Sequence, residues 1–178
     1  MNIETLWADI QHRLCVDYAQ AFSQRDVAAL RDIYCPNSVV TLHQLGRSKS
    51  GRAGKGKTIA IDTGNLLTAL LRWRIPATLA VKAMFRRLEQ QGYDHSEINL
   101  LAIADLSAVG GPPRARANCS FERFRGDGES YEKGFALYNL AKIDGAWRIT
   151  EIWTYDDLNA APPGLHLDKL TRPRTAGG

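Results

Sequence analysis

The chain has 178 residues, 44% hydrophobic and 24% charged, with a formal net charge of +4. That length suits one domain able to bury a core unaided, and the charge permits an anionic partner without requiring one. No apolar run reaches the roughly 20 residues of a membrane helix, and Cys15, Cys35 and Cys119 are odd in number and widely spaced, which argues against a disulfide framework or a metal site and for a reducing cytoplasm.

The N-terminus carries acids early and is amphipathic, unlike a secretory leader. Residues 5–23 set Leu6, Trp7, Ile10, Leu14, Cys15, Tyr18 and Phe22 at helical spacing. Asp26 caps a shorter helix over VAALRDIY, with Val27, Leu30, Ile33 and Tyr34 inward. Pro36 and Asn37 stop it, and SVVTLHQL follows as a β-branched strand. Residues 46–57 hold five cations, no acid and no large apolar side chain, which predicts a mobile loop.

That loop runs into GRAGKGKT, Gly51–Thr58, which fits the phosphate-loop pattern G-x-x-x-x-G-K-[ST]. LLAIAD likewise ends at Asp105, as a magnesium-holding strand would. A working phosphate loop, however, joins a parallel strand to the helix that it opens. Here the preceding strand ends near Leu45, and TIAIDTG is a poor first helical turn. The motif therefore reads as an accident of a solvated basic loop, and nucleotide binding there is the remotest alternative.

TIAID is ambiguous; NLLTALLRW is helical; Pro76 breaks it; ATLAVKAMFRRLEQQ is a further amphipathic helix ended by Gly92. From Glu97 the period becomes strand-like through EINLLAIADLSA, RARANCSFERF, SYEKGFALYNLAKI and AWRITEIWTYD. The joints RGDGES and KIDGAW carry the Asp-Gly pairs of tight hairpins. On the last strand, Trp147, Ile149, Trp153 and Tyr155 share one parity and are expected in the core or at a dimer interface. The expectation is an α+β domain over residues 1–158, with helices on the concave face of a curved antiparallel sheet, and a Pro/Gly-rich tail over 159–178.

The stretches YAQAFSQRDVAALRDIYCPNSVV and GFALYNLAKIDGAWRITEIWTYD resemble the nuclear transport factor 2-like superfamily, across about residues 5–157. This cone-shaped, cystatin-like fold is shared by ketosteroid isomerases, polyketide-cyclase-like proteins and scytalone-dehydratase-like enzymes. The resemblance implies a mostly apolar pocket between helices and sheet. Tyr18 falls at the isomerase tyrosine, but Leu42 stands at the position of the base and Asn139 at that of the acidic donor. His95 and Asn99 match the dehydratase histidine-x-x-x-asparagine spacing, with Ser23 where an orienting aspartate is expected and Asp26 spent as a helix cap.

His95, Asn139 and Tyr18 are thus the candidate catalytic residues, and Asn99, Phe135, Leu137 and Leu42 the candidate ligand-binding ones. His43 is set aside because it points opposite to Leu42. The Arg114/Arg116 pair is read as solvated, and arginine stripes without exposed aromatics argue against nucleic acid. The expected protein is a homodimer in the cytoplasm, without cofactor, metal or membrane, binding a small hydrophobic or mixed-polarity molecule. It is either an isomerase, dehydratase or cyclase working by proton transfer, or a non-catalytic ligand-binding or interaction module.

Overall fold

A computed structural model describes residues 2–45, 57–64, 69 and 74–156 of the chain. The first helical stretch comprises α1 (Ile3–Gln11), a π-helical segment (His12–Tyr18) and α2 (Ala19–Ser23), joined without a break in helical backbone. Its buried residues explain the π turn. Leu6, Ile10, Leu14, Tyr18 and Phe22 recur every fourth position. In a straight α-helix each such step overshoots a full turn by roughly 40°. The wider i→i+5 turn takes that drift back, so all five stay on one face.

Asp26 caps α3 (Val27–Ile33), its carboxylate accepting from the Ala28 and Ala29 N–H groups at 2.9 Å each. The helix stops before Tyr34, which bridges in parallel to Ile149. Seven strands follow around one further described helix: β1 (Val39–Leu45), β2 (Lys57–Asp62), β3 (Ile75–Pro76), α4 (Ala77–Gln90), β4 (Tyr93–Asp105), β5 (Arg114–Arg125), β6 (Ser130–Ile143) and β7 (Ala146–Tyr155). Asp144 and Gly145 both take positive φ, 50° and 79°, as a two-residue hairpin turn between β6 and β7 demands.

The sheet order is β3-β2-β1-β7-β6-β5-β4. The long strands form the expected meander, but β1 lies parallel to β7 and β3 parallel to β2, so this curved, unclosed sheet is mixed, not antiparallel throughout. The ambiguous TIAID is strand β2. Of the loop predicted over residues 46–57 only Lys57 is described, and it begins β2; most of NLLTALLRW and the tail also fall outside the described residues.

The helices cover one face of the sheet. There Tyr138, Ala117, Cys119, Ile103, Ile149 and Ile152 meet Leu14, Tyr18 and Phe22 in a continuous core. The expected parity of the last strand does not hold. Asn139 pairs with Glu151 while Leu140 pairs with Ile149, so Thr150 is an extra residue, a β-bulge. Trp147, Ile149 and Ile152 therefore face the helices, and Glu151, Trp153 and Tyr155 face the other way.

Candidate functional site

Strand registers set out the face opposite the helices in rows. One row runs Asn99–Ser120–Phe135–Tyr155, the next Ala102–Asn118–Leu137–Trp153–His43, the next Ala104–Arg116–Asn139–Glu151–Thr41. The first two rows are tied by Tyr155, whose hydroxyl crosses to donate to buried Asn118 Oδ1 at 2.7 Å. Phe135 stacks on the same ring, with centroids 5.8 Å apart. Burial drives the Tyr155 phenol up to about 12, more than its bond to Asn118 brings it down.

The third row carries the chemistry. Arg116 Nε donates to Asn139 Oδ1 at 2.9 Å, and Asn139 Nδ2 donates to Glu151 Oε2. Glu151 Oε1 lies 3.0 Å from His43 Nε2, and His43 Nδ1 lies 3.1 Å from the hydroxyl of Thr58. An ionised carboxylate only accepts, so the neutral imidazole carries its proton on Nε2 and the Thr58 hydroxyl donates to Nδ1. The ring is further fixed by stacking on Trp153, 3.6 Å between centroids and 11° from parallel. Five side chains thus form one chain of hydrogen bonds, from a guanidinium to an exposed hydroxyl. An imidazole oriented by a carboxylate, with its basic nitrogen toward solvent, is equipped to take or give a proton.

Arg116 is half-buried. Burial lowers its pKa, and the neighbouring charge of Glu151 pulls in the other direction. The other partly buried arginines among the described residues are each matched to a carboxylate: Arg13 to Asp17, Arg123 to Glu132, Arg125 to Glu129 and Arg148 to Asp32. Arg116 has no such partner there.

The residues singled out from sequence are dispersed. Tyr18 is buried on the helix side, its ring 5.8 Å from Tyr138 and 6.5 Å from Tyr34. Leu42 packs toward the same core. Asn139 is on the other face, as are Phe135, Leu137 and Asn99, the last exposed. His95 shares that face but sits about eight residue steps up β4 from the row of Arg116, roughly 25 Å away. It stacks on Phe124 and meets the Asp94 carboxylate at 2.8 Å, with 42% of its side chain exposed. His95, Asn139 and Tyr18 therefore do not line one cavity. Ser23, at the expected orienting position, lies within 3.5 Å of the Tyr93 hydroxyl and accepts from the Ser96 N–H at 3.2 Å.

His43 does point away from Leu42, and that places it beside Asn139. Glu151 and Trp153 escaped the sequence reading because the Thr150 bulge inverts their parity. Thr58, the last residue of the phosphate-loop pattern, sits with Lys57 in strand β2 of an antiparallel hairpin with β1, where a phosphate loop would begin a helix. Among the described residues there is no cluster of three or more metal-ligating side chains, and no helix long and apolar enough to cross a membrane.

Comparison with known proteins agrees with this architecture. Residues 69–157, half of the chain, match a protein family described as NTF2-like protein (DUF6841). Among solved structures, an NTF2-like protein of unknown function from Shewanella oneidensis is similar at a TM-score of 0.56 and 17% identity, covering 83% of this chain and 96% of that one. A ketosteroid isomerase-like protein from Erwinia carotovora atroseptica gives 0.52 and 16%, covering 86% and 96%. An NTF2-like superfamily protein from Salmonella enterica gives 0.53 and 13%, covering 92% and 99%. No curated protein matches the chain. At these identities the likeness speaks for the fold alone.

Proposed function

We propose that this chain, which belongs to the NTF2-like family, binds a small molecule on the sheet face opposite its helices and moves a proton on it. The observation that carries the reading is the imidazole of His43, held by Glu151 at Nε2 and opening through Nδ1 and Thr58 to solvent. Nδ1 takes a proton from a carbon acid, directly once the ligand displaces the Thr58 hydroxyl, or through that hydroxyl as relay. Glu151 holds the tautomer and stabilises the imidazolium that forms, and Trp153 offers its ring face to the same charge. Asn139 is a positioning residue that keeps Glu151 turned toward His43. The reaction class this supports is an isomerisation, dehydration or cyclisation begun by proton abstraction.

Interior phenols support the choice of face. Tyr18, Tyr34 and Tyr138 are packed ring to ring beneath the helices, and burial, the largest effect on each, pushes their hydroxyls above the ordinary value. Such groups stay neutral and are poor bases.

Solvent deuterium incorporation into neutral carbon acids, such as 2-indanone and cyclohexenone, tests the reading by NMR. Wild type should exchange faster than buffer, and His43→Gln should lose about 10²–10⁴-fold of that rate. Exchange at the buffer rate across the series, or exchange unchanged in His43→Gln, would leave a non-catalytic binding module as the better account.

A further inference from the structure

The same face carries a second feature that proton transfer does not use. Arg116 is half-buried, spends only its Nε on Asn139, and has no carboxylate within ion-pair distance among the described residues. Its Nη edge remains, with two nitrogens in the planar fork that matches a carboxylate. A guanidinium taken partly out of water without a counterion among the described residues is costly, so its placement calls for a purpose. The four paired arginines show how this protein treats such a group when its role is structural: it supplies the carboxylate itself.

Glu151, the carboxylate of the same row, is separated from Arg116 by the Asn139 amide, and both of its oxygens are already engaged, by Asn139 and His43. Asn139 thus keeps the guanidinium and the carboxylate in register while preventing them from neutralising each other directly.

We infer that the ligand of this face carries a carboxylate, held by the Nη edge of Arg116 while the rest of the molecule lies along Asn139 and Glu151 toward His43. Resting on the reading above, this names the substrate class: an organic monocarboxylate whose reacting carbon is remote from its acid group. Arg116 and His43 belong to strands three spacings apart, about 14 Å at the backbone, which excludes acetate-sized molecules from touching both. A single fork matches one negative charge, and a phosphate dianion would need a second cation in the row. Trp153, half-buried in the adjacent row, suits an apolar or aromatic body.

The test is calorimetric titration of the protein with hexanoate, benzoate and 1-naphthoate, each against its neutral amide, with inorganic phosphate as a separate arm. The carboxylates should bind and their amides bind at least about tenfold more weakly, as loss of a charge-assisted pair requires. Arg116→Gln should abolish that preference, and Arg116→Lys, which keeps the charge but not the fork, should restore only part of it. His43→Gln should leave carboxylate affinity within a few-fold while removing deuterium exchange, so failure of the proton-transfer reading and failure of this one are told apart. Equal binding of acids and amides, undiminished preference in a folded Arg116→Gln, phosphate binding that outcompetes every carboxylate, or no binding of any carboxylate would each overturn the inference.

Discussion

Raising the pH tests the packing on both faces of the sheet most directly. Tyr18, Tyr34, Tyr138 and Tyr155 are all buried, and burial raises all four phenols, Tyr34 and Tyr138 well above 10 and Tyr155 to about 12. The unfolded chain releases these protons near 10, whereas the native protein keeps them. Between 10 and the native values the unfolded state therefore binds fewer protons, so stability is fully present below pH 10 and falls as the pH rises. Tyr34, Tyr138 and Tyr155 each contribute a loss approaching about 1.4 kcal/mol by pH 11, hence roughly 4 kcal/mol together, and Tyr18 adds in the same direction. Against a typical stability of about 5–15 kcal/mol, that brings the protein to the edge of unfolding. Urea titrations at pH 9, 10 and 11 should show this steepening loss, and a pH jump should show a burst of phenolate absorbance followed by a slow phase limited by unfolding. Tyr138→Phe, compared with wild type, should flatten the slope by about one proton. Prompt ionisation of all six tyrosines near pH 10 in the folded protein would refute the packing described.

Four further outcomes are expected. Tyr155→Phe strips buried Asn118 of its donor at 2.7 Å and should cost about 1–3 kcal/mol in urea unfolding. Gly134→Ala sets a Cβ 2.9 Å from Phe121 Cζ and 3.2 Å from the Tyr155 carbonyl, so it should cost about 1–3 kcal/mol, and a neutral result would mean that β5, β6 and β7 are less closely packed there. Asp26→Ala removes two capping bonds and should cost about 1 kcal/mol, whereas Asp26→Asn should restore most of it. ATP or GTP at millimolar concentration should give no saturable thermal shift; a nucleotide at 100 times its dissociation constant would add about 2.7 kcal/mol, and a shift abolished by Lys57→Ala would reinstate the phosphate-loop reading.

Much of the architecture was legible because local signals and tertiary packing agree. The Asp26 cap, the Asp144-Gly145 hairpin and the long strands are written in residue chemistry that needs no distant partner. The candidate site was not, for two reasons. Its members come from β1, β2, β5, β6 and β7, so only sheet register brings them together, and register depends on where bulges fall. Strand alternation does place His43 opposite Leu42, but that excludes His43 only if the working side faces the helices. In the sequence Arg116 is one of several arginines, and only the want of a carboxylate partner among the described residues sets it apart. The parallel pairing of β1 with β7 was hidden for a similar reason, since nothing in SVVTLHQL marks its partner.

The π turn over His12–Tyr18 and the bulge at Thr150 have a shared consequence for how this chain tolerates change in length. Each is one surplus residue absorbed inside a regular element, so removing one residue there need not shorten the fold. It would let the element return to regular geometry, with the residues beyond still facing as they do. Deleting Thr150 would set Glu151 directly after Ile149 in ordinary alternation, so Glu151 stays on the outer face and Ile152 in the core, whereas deleting Glu151 or Ile152 would not; deleting one residue of the π turn would likewise return that stretch to α-helical geometry. Relatives lacking one residue in either element should accordingly lack it at these two points, because a gap set elsewhere in the strand or helix exchanges the inside of the protein for its outside.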